Sequence, residues 1–389
     1  VSPKHWLSGL ISKKRKYIIG LNSGTSADGI DAALVRIDGS GHGCRVKLIF
    51  GRKFRFRKGI PELIRRCAQP EFDGAIEWQK LNLILADEFS RAAQAMIEAA
   101  ETLGIKADLI GSHGQTIRHM PGGGTSTITV QLGDPQRIAV AVGIPAVGDF
   151  RIADIAAGGQ GAPLTPIANA LLFGKVSGNI AVLNIGGIAN ITVLERSGSK
   201  PKVYGCDCGP GNMVIDYFAG KLFGKPYDRD GRLACRGTPD RKVIRQVIRR
   251  RFFGLKGPRS AGREMFGDIF CEWFESICRR AGLGDYDILA TATSLTVQTI
   301  VDCVELNRWK FDTLILTGGG ARNRRLIAEI GDRIRCDLKF ADDFGFPAEF
   351  LEAVSFAVFA NEAIAGNRYN LSMVTGAKKA VVLGKICPV

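Results

Sequence analysis

Histidine is scarce, at four in 389 residues, and no two of the ten cysteines stand in a Cys-x-x-Cys spacing. Zinc fingers and ribbons built on such pairs are thereby excluded. The one close pair, Cys206-x-Cys208, has no neighbouring ligands in the sequence to complete a metal site. Several of the remaining cysteines sit inside apolar patterns, as reduced thiols of a cytoplasmic protein do. No apolar run approaches the roughly 20 residues that cross a bilayer, so no membrane partner is expected. The short apolar patch 7–11 precedes the basic cluster Lys13–Lys16, the reverse of a secretory signal, and residues 1–15 read as a loose tail. No Gly-x4-Gly-Lys-Ser/Thr loop, no Gly-x-Gly-x-x-Gly after a first strand and no Gly-x-Ser-x-Gly elbow is present. A P-loop is therefore out, a dinucleotide fold is weakened, and the serine-hydrolase elbow is missing.

What is present is ordinary globular material, 46% hydrophobic and 23% charged, in a length that suits two domains or one two-lobed unit. The 48 glycines fall in short motifs between apolar runs rather than in a repeat. Net charge is +15, with local clusters at Lys13–Lys16, Arg241–Arg251 and Arg322–Arg325. This basicity is spread out and lacks interleaved aromatics, so it reads as a solvated surface, and no nucleic-acid partner is expected. A nucleic-acid-binding reading rests on charge alone.

Two apolar runs, 17–21 and 30–37, flank the turn Asn22-Ser-Gly-Thr-Ser-Ala-Asp-Gly, which predicts a β-hairpin. Its glycines, hydroxyls and N–H groups suit phosphate oxygens, and Asp28 or Asp31 suits a hydrated Mg²⁺. An ordinary hydrophilic turn fits the residues equally well. An alternating basic strand follows at 47–57, a short helix at 61–67, and then an amphipathic helix over 75–103, with Leu81, Ile84, Leu85, Phe89, Ala92, Met96, Ala100 and Leu103 on its apolar face. A short buried strand over 108–111 is expected to end in Ser112-His-Gly-Gln-Thr116. Further strands are expected at 127–132 and 146–151, helices at 135–142 and 164–173, and a Gly-rich segment at 154–163.

The opening pattern then returns. Asn184-Ile-Gly-Gly-Ile-Ala-Asn190 is again a glycine turn between apolar runs, 162 positions after Asn22. As an internal repeat it implies two similar lobes. The second half predicts helices at 213–222, 239–253, 268–282, 287–307 and 348–365, with strands at 313–317 and 336–340. A third glycine turn, Gly318-Gly-Gly320, stands between the strand 313–317 and a helix from about 323. Two hairpins and a third turn against adenosine is the actin-like ATPase layout. The expected fold class is α/β, an actin-like ATPase (ribonuclease H-like) fold with two lobes around a nucleotide cleft. Lobe I is expected to hold 16–147 plus 357–389, and lobe II 148–356.

Eight segments carry a closer resemblance, in this order: 21–31, Ser112–Thr116, Gly148–Arg151, Gly158–Pro163, Asn184–Asn190, Asp207-Cys-Gly-Pro-Gly-Asn212, Gly262–Glu264 and Thr317–Asn323. Together they resemble the anhydro-N-acetylmuramic acid kinase family, from about residue 17 to the end of the chain. The resemblance implies an ATP- and Mg²⁺-dependent reaction: water opens the 1,6-anhydro bridge at the anomeric carbon, and the freed O6 takes the γ-phosphoryl group. It implies a homodimer and the base role for Asp207. By residue pattern alone, Asp207 is either a carboxylate fixed in a cleft or a turn aspartate capping the helix that starts near Asn212. Ser23, Gly24, Thr25, Ser26, Ala27, Asp28, Gly29 and Asp31 are expected at the phosphates, with Gly186 and Gly187 opposite. Gly318, Gly319, Gly320 and Asn323 are expected near adenosine. Candidate sugar contacts are His113, Gln115, Thr116, Asp149, Arg151 and Glu352. A structural histidine and an internal ion pair are the competing readings of His113 and of Asp149 with Arg151, and by pattern Glu352 is only a helix residue.

One departure bears on substrate. Many members of the family follow Asp-Phe-Arg with two more arginines, where this chain has Ile152 and Ala153. Those cations suit a lactyl carboxylate. The related levoglucosan kinase also looks like Asp-Phe-Arg-Ile here, whereas Gly158-Gly159-Gln160 follows the muramic acid enzymes. Levoglucosan kinase is thus the alternative within the class. An actin-like ATPase gating a protein partner is the alternative outside it, opposed by the Asp207 motif and by the lack of an appended peptide-binding domain.

Overall fold

The computed structural model describes residues 3–24, 27–69, 71–120, 122, 126–196 and 201–389. Strands among them are β1 (Arg15–Ser23), β2 (Gly29–Asp38), β3 (Arg45–Arg55), β4 (Leu109–Met120), β5 (Ile128–Leu132), β6 (Ala146–Gly148), β7 (Ile180–Ile185), β8 (Ile188–Glu195), β9 (Lys202–Pro210), β10 (Thr313–Thr317), β11 (Asp337–Phe340) and β12 (Lys385–Cys387). The chain divides into unit 1, Val1–Lys175 with Gly345–Val389, and unit 2, Val176–Phe344.

Unit 1 holds a seven-stranded sheet in the order β12-β6-β4-β1-β2-β3, with β5 on β4. β1 is central, and Ile18, Ile19 and Leu21 are fully buried. A strand covered on both faces reads as a continuous apolar run, which is why 17–21 lacks alternation. The edge strand β3 alternates and carries Lys47, Arg52, Lys53 and Arg55, charges that discourage edge-to-edge pairing. The helix Ala75–Glu101 buries Leu81, Leu85, Phe89, Ala92, Met96 and Ala100 completely. Its N-cap Gly74 makes no side-chain cap. A cap is worth ~1 kcal/mol, against roughly 1.5–3 kcal/mol for each large apolar side chain buried, so packing holds this helix. Leu103 lies beyond the helix end and is exposed, so it is not part of the apolar face.

On the other face lies the helix Leu351–Ile364. A Cβ at Gly20 of β1 would stand 1.8 Å from the Ala353 carbonyl oxygen, and one at Gly111 of β4 would stand 2.2 Å from that of Phe356. Both strands are thus glycine where the helix backbone lies directly on them. This contact places Glu352 beside the β1–β2 turn, and it keeps the whole helix in unit 1. The boundary expected at 356–357 therefore moves to 344–345. Residues 148–175 also join unit 1, because buried Asp154 accepts bonds from Thr375 Oγ1 and Gly161 N–H, both at 2.7 Å, and ties the Gly-rich loop to the 371–378 segment.

Unit 2 holds a five-stranded sheet in the order β11-β10-β7-β8-β9. Its pairings repeat those of unit 1. β1/β2 and β7/β8 are antiparallel hairpins, β2/β3 and β8/β9 extend them antiparallel, and β4 and β10 add in parallel, followed by parallel β6 and β11. Asn22 pairs with Asp31 at one hairpin end and Asn184 with Asn190 at the other. The short repeat in the sequence therefore marks equivalent positions. Two such α/β units are the duplicated ribonuclease H-like arrangement of the actin-like ATPase fold, as the sequence predicts.

Several local expectations change. Residues 3–12 of the expected tail form the helix Pro3–Ser12, with Leu10 buried, and β1 already begins at Arg15. β4 does not stop at 111 but runs on to Met120, with an irregular register between Thr116 and Arg118, so Ser112–Thr116 lie within a strand. β6 covers only Ala146–Gly148, and Asp149 breaks it with φ 53°. The basic helix is only Arg241–Ile248. No helix among the described residues is long and apolar enough to cross a membrane.

Candidate active site

In unit 1 the β1–β2 turn is held from below by β4. Gln115 is buried; its amide nitrogen donates to the carbonyls of Gly24 at 3.2 Å and Thr116 at 3.1 Å. The Ser23 hydroxyl lies 2.6 Å from Gln115 Oε1 and 2.7 Å from the Gly29 carbonyl. Both side chains expected at ligands thus shape the turn itself. Gly29 has a structural reason as well, since a Cβ there would stand 2.2 Å from the Phe54 carbonyl oxygen. Ala27 sits at φ 54°, where a residue with a Cβ is uncommon, and its N–H bonds the Gly24 carbonyl. Thr25 and Ser26 lie outside the described residues. Gln115→Leu removes the support of the Ser23 hydroxyl and the Gly24 carbonyl together. It is expected to cost about 1–3 kcal/mol, read in the denaturant midpoint.

Carboxylates collect beside this turn. The Asn22 amide donates to Glu352 Oε2 at 2.6 Å, and Lys53 lies 3.7 Å from Asp31 and 3.5 Å from Glu349. Surrounding protein pushes the Asp31 carboxyl up, opposed by Lys53 and reinforced by Asp28 and Glu349. Glu352 is open at its surface yet ringed by protein on its inner side; desolvation and then Asp31 push it up, while Asn22 and Arg151 oppose. Among the described residues no group of three or more His, Cys, Asp or Glu side chains forms a metal cage.

Next to Glu352 stands Arg151, whose Nε donates to His113 Nε2 at 3.2 Å. His113 is buried, has its ring 4.5 Å from that of Phe356 at a 31° tilt, and has Nδ1 3.1 Å from the Gly114 carbonyl. Burial, then Arg151, lowers its pKa to about 3. The ring is therefore neutral, with its proton on Nδ1 and Nε2 accepting. Asp149 does pair, but with Lys385 at 2.5 Å rather than with Arg151. Among the described residues no carboxylate lies within salt-bridge distance of Arg151, and its terminal nitrogens donate to no protein group. Burial lowers its pKa to about 10, so it remains a cation at neutral pH. Thr116 Oγ1 is 3.4 Å from the Gln131 amide.

In unit 2 three glycine segments converge. The Gly186 carbonyl accepts from Asn212 N–H at 2.7 Å, and the Gly187 carbonyl from Gly211 N–H at 2.9 Å and Met213 N–H at 3.1 Å. The Asn212 amide reaches the Ile185 carbonyl at 3.0 Å. A Cβ at Gly318, which has φ 82°, would stand 2.3 Å from Asn184 Oδ1, and one at Gly320 would stand 2.3 Å from the Ile185 side chain. By contrast, a Cβ on Gly186 or Gly187 would meet nothing nearer than 3.5 Å. Protein packing alone does not require glycine at those two positions. Asn323 caps the helix Arg324–Arg333, its Oδ1 accepting from Arg325 N–H at 3.1 Å and Leu326 N–H at 3.2 Å. That is a structural reason for its presence beside the third turn.

Asp207 lies within β9, not in a turn, and does not cap the helix Met213–Phe223. The register slips by one between Asn190 and Ala189, so Cys208 is the extra residue of a bulge. Bulges bend a strand and re-aim its side chains. The Asp207 carboxyl is buried, with Oδ2 accepting from Ala261 N–H at 2.7 Å. Burial raises its pKa to about 7, against the lowering effects of the Ala261 N–H, the Ser260 side chain and Arg259. A carboxylic acid poised there exchanges a proton near neutrality. Arg259, left in a loop by sequence pattern, is the residue most plainly missed: its guanidinium is buried among backbone carbonyls. Its only sequence signal was the neighbouring Gly262-Arg-Glu264 segment. Asn22 was also missed as a partner of Glu352, because the two stand 330 positions apart.

The model of the anhydro-N-acetylmuramic acid kinase family matches residues 16–389. The anhydro-N-acetylmuramic acid kinase of Caldanaerobacter subterraneus subsp. tengcongensis is 38% identical, across 97% of this chain and 98% of that protein. Proteins of the same name from Clostridioides difficile and Salinibacter ruber are each 35% identical, over 96% and 98% of this chain and 98% of each relative. With the buried carboxyl at Asp207 and the paired glycine-turn hairpins inside the matched residues, the chain belongs to the anhydro-N-acetylmuramic acid kinase family of sugar kinases.

Proposed function

We propose that the protein opens the 1,6-anhydro ring of anhydro-N-acetylmuramic acid with water and phosphorylates the freed O6 from ATP, giving N-acetylmuramic acid 6-phosphate and ADP. The observation that carries this reading is the Asp207 carboxyl, buried, oriented by the Ala261 N–H and poised at about 7. Water is a poor nucleophile and needs such a base within hydrogen-bond reach. Asp207 takes a proton from water as the water oxygen bonds C1. The C1–O6 bond breaks, and O6 bonds the γ-phosphorus as the bond to the β-phosphate oxygen breaks. Arg151, with terminal donors left over, and Glu352 hold sugar oxygens, and neutral His113 keeps the guanidinium in place. Gly186 and Gly187 are glycines without an internal packing reason, which suits close approach of phosphate oxygens to their backbone.

Mg²⁺ suits Asp31, whose carboxyl the surrounding protein pushes up and whose charge a cation would offset. One or two carboxylates with substrate phosphates and water are its usual partners. Bound there, it would neutralise charge on the transferring phosphoryl group. The cytoplasmic homodimer implied by the resemblance belongs to the same proposal.

A second substrate is favoured by one observation. Ile152, next to Arg151, is 40% exposed and offers no cation for a lactyl carboxylate. A simpler anhydro sugar such as levoglucosan fits that surface. The two are separated by incubating the protein with ATP, Mg²⁺ and each sugar, with mass spectrometry of the 6-phosphate. We expect product from anhydro-N-acetylmuramic acid; turnover of levoglucosan alone would reverse the assignment. In ¹⁸O-water the product should carry the label at C1, and an unlabelled anomeric oxygen rules out hydrolytic opening.

A further inference from the structure

β9 is the edge strand of the unit 2 sheet, and at Asp207 its outer side is closed by the 259–261 segment. Asp207 N–H donates to the Arg259 carbonyl at 3.0 Å, and the Ala261 N–H returns to the Asp207 carboxylate at 2.7 Å. What fastens this segment is the Arg259 side chain. Its Nε donates to the Asp207 carbonyl at 2.7 Å, and a terminal nitrogen donates to that of Cys208 at 3.3 Å. The other terminal nitrogen lies within 3.3 Å of the carbonyls of Phe252, Phe253 and Leu255. The guanidinium also stands 4.9 Å over the Phe252 ring. It is 6% exposed, and among the described residues no carboxylate forms a salt bridge with it. A buried cation is costly without partners, and here its partners are backbone carbonyls of β9 and of the loop.

We propose that Arg259 is a positioning residue for the base: its guanidinium fastens residues 252–261 along the β9 edge, so that the Ala261 N–H holds the Asp207 carboxylate in one orientation. This rests on the reading of Asp207 as the base. Only arginine supplies five N–H donors in a planar fork; lysine offers a point charge with three. Besides orienting the carboxylate, the arrangement keeps a cation and an N–H donor at the ionised form, limiting the rise that burial causes. The groups facing the carboxyl are Arg259, Ser260 and the Ala261 N–H from the loop, and Cys303 from the helix Asp285–Asn307.

The test is the pH profile of kcat for three variants made in the full chain. Arg259→Gln removes charge and fork, Arg259→Lys keeps charge alone, and Ala261→Pro removes the N–H donor to Asp207 while leaving Arg259 in place. Arg259→Gln is expected to move the acidic limb upward by about one unit, which lowers kcat at pH 7 about fivefold, with the ATP KM unchanged. Ala261→Pro should move the limb the same way, and Arg259→Lys should fail to restore it. A general loss of packing lowers kcat without displacing the limb. Folding is checked by the thermal transition, and if Arg259→Gln does not fold, Ala261→Pro decides. Wild-type limb positions in the folded variants overturn the proposal. Asp207→Asn assayed in parallel separates the two readings. If it retains turnover, the base assignment fails; if it is dead while the limbs stay put, only the positioning role of Arg259 fails.

Discussion

Asp207→Asn is expected to lower kcat by ~10²–10⁴-fold, the usual share of general-base assistance, while leaving ATP binding intact. Asparagine keeps the shape and can still accept the Ala261 N–H bond, so the loop and β9 remain in place. What it loses is the capacity to take a proton. Wild-type kcat should fall about tenfold per unit below pH 7, because the carboxyl is protonated below its raised value of about 7. The variant's residual rate should lack that limb. Stability gives an independent check with the opposite sign. A carboxyl raised in the fold contributes stability that is fully present below its ordinary value and is lost as pH rises through about 7. The uncharged variant should therefore melt higher than wild type at pH 8, with the gap shrinking as pH falls toward 4. Near wild-type turnover in Asp207→Asn would remove the residue from the chemistry.

Gly20→Ala is expected to be the most damaging single methyl in unit 1. The added Cβ would lie 1.8 Å from the Ala353 carbonyl oxygen and 3.0 Å from Ala357 N, so the helix Leu351–Ile364 must lift from β1. Neither neighbour is a flexible side-chain tip. Overpacking of rigid parts costs typically 1–3 kcal/mol, and this contact belongs at the top of that range, about 3 kcal/mol. At about 2–4 °C per kcal/mol for a unit of this size, the melting temperature should drop by roughly 6–12 °C. The same helix carries Glu352 to Asn22 and Phe356 to the face of His113. Sugar KM should therefore rise in the fraction that still folds, whereas the Asp207 limb, which belongs to unit 2, should stay where it is. A melting temperature within a degree of wild type would mean that the helix does not lie on β1 as described.

Much of the architecture was legible because it is written in local pattern. The apolar run at 17–21, the three/four spacing along 75–101 and the glycine turns at 24 and 186 each dictate an element through its own residues. The echo of Leu21-Asn22 in Leu183-Asn184 reported the duplication, since equivalent hairpin ends need similar turns. Strand ends were less legible. β4 was expected to stop at 111 because Ser112–Thr116 are polar, but those residues stay in the strand by pairing with β1 and β5. The unit boundary at 344–345 was also hidden, for the helix that follows looks the same wherever it docks.

By itself the sequence determined the family, the two-hairpin plan and the position of the candidate base. The tertiary structure decided which partners each polar residue meets. Gln115, Gly29 and Asn323, all expected at ligands, have their groups committed to a turn, a strand crossing and a helix cap. Asp149 is committed to Lys385, while Arg151 keeps terminal donors that no group among the described residues takes up. The physical reason is that a side chain's spare bonding capacity depends on partners tens or hundreds of positions away. Arg259 and Asp207 are 52 positions apart, and only the closure of the β9 edge brings them together.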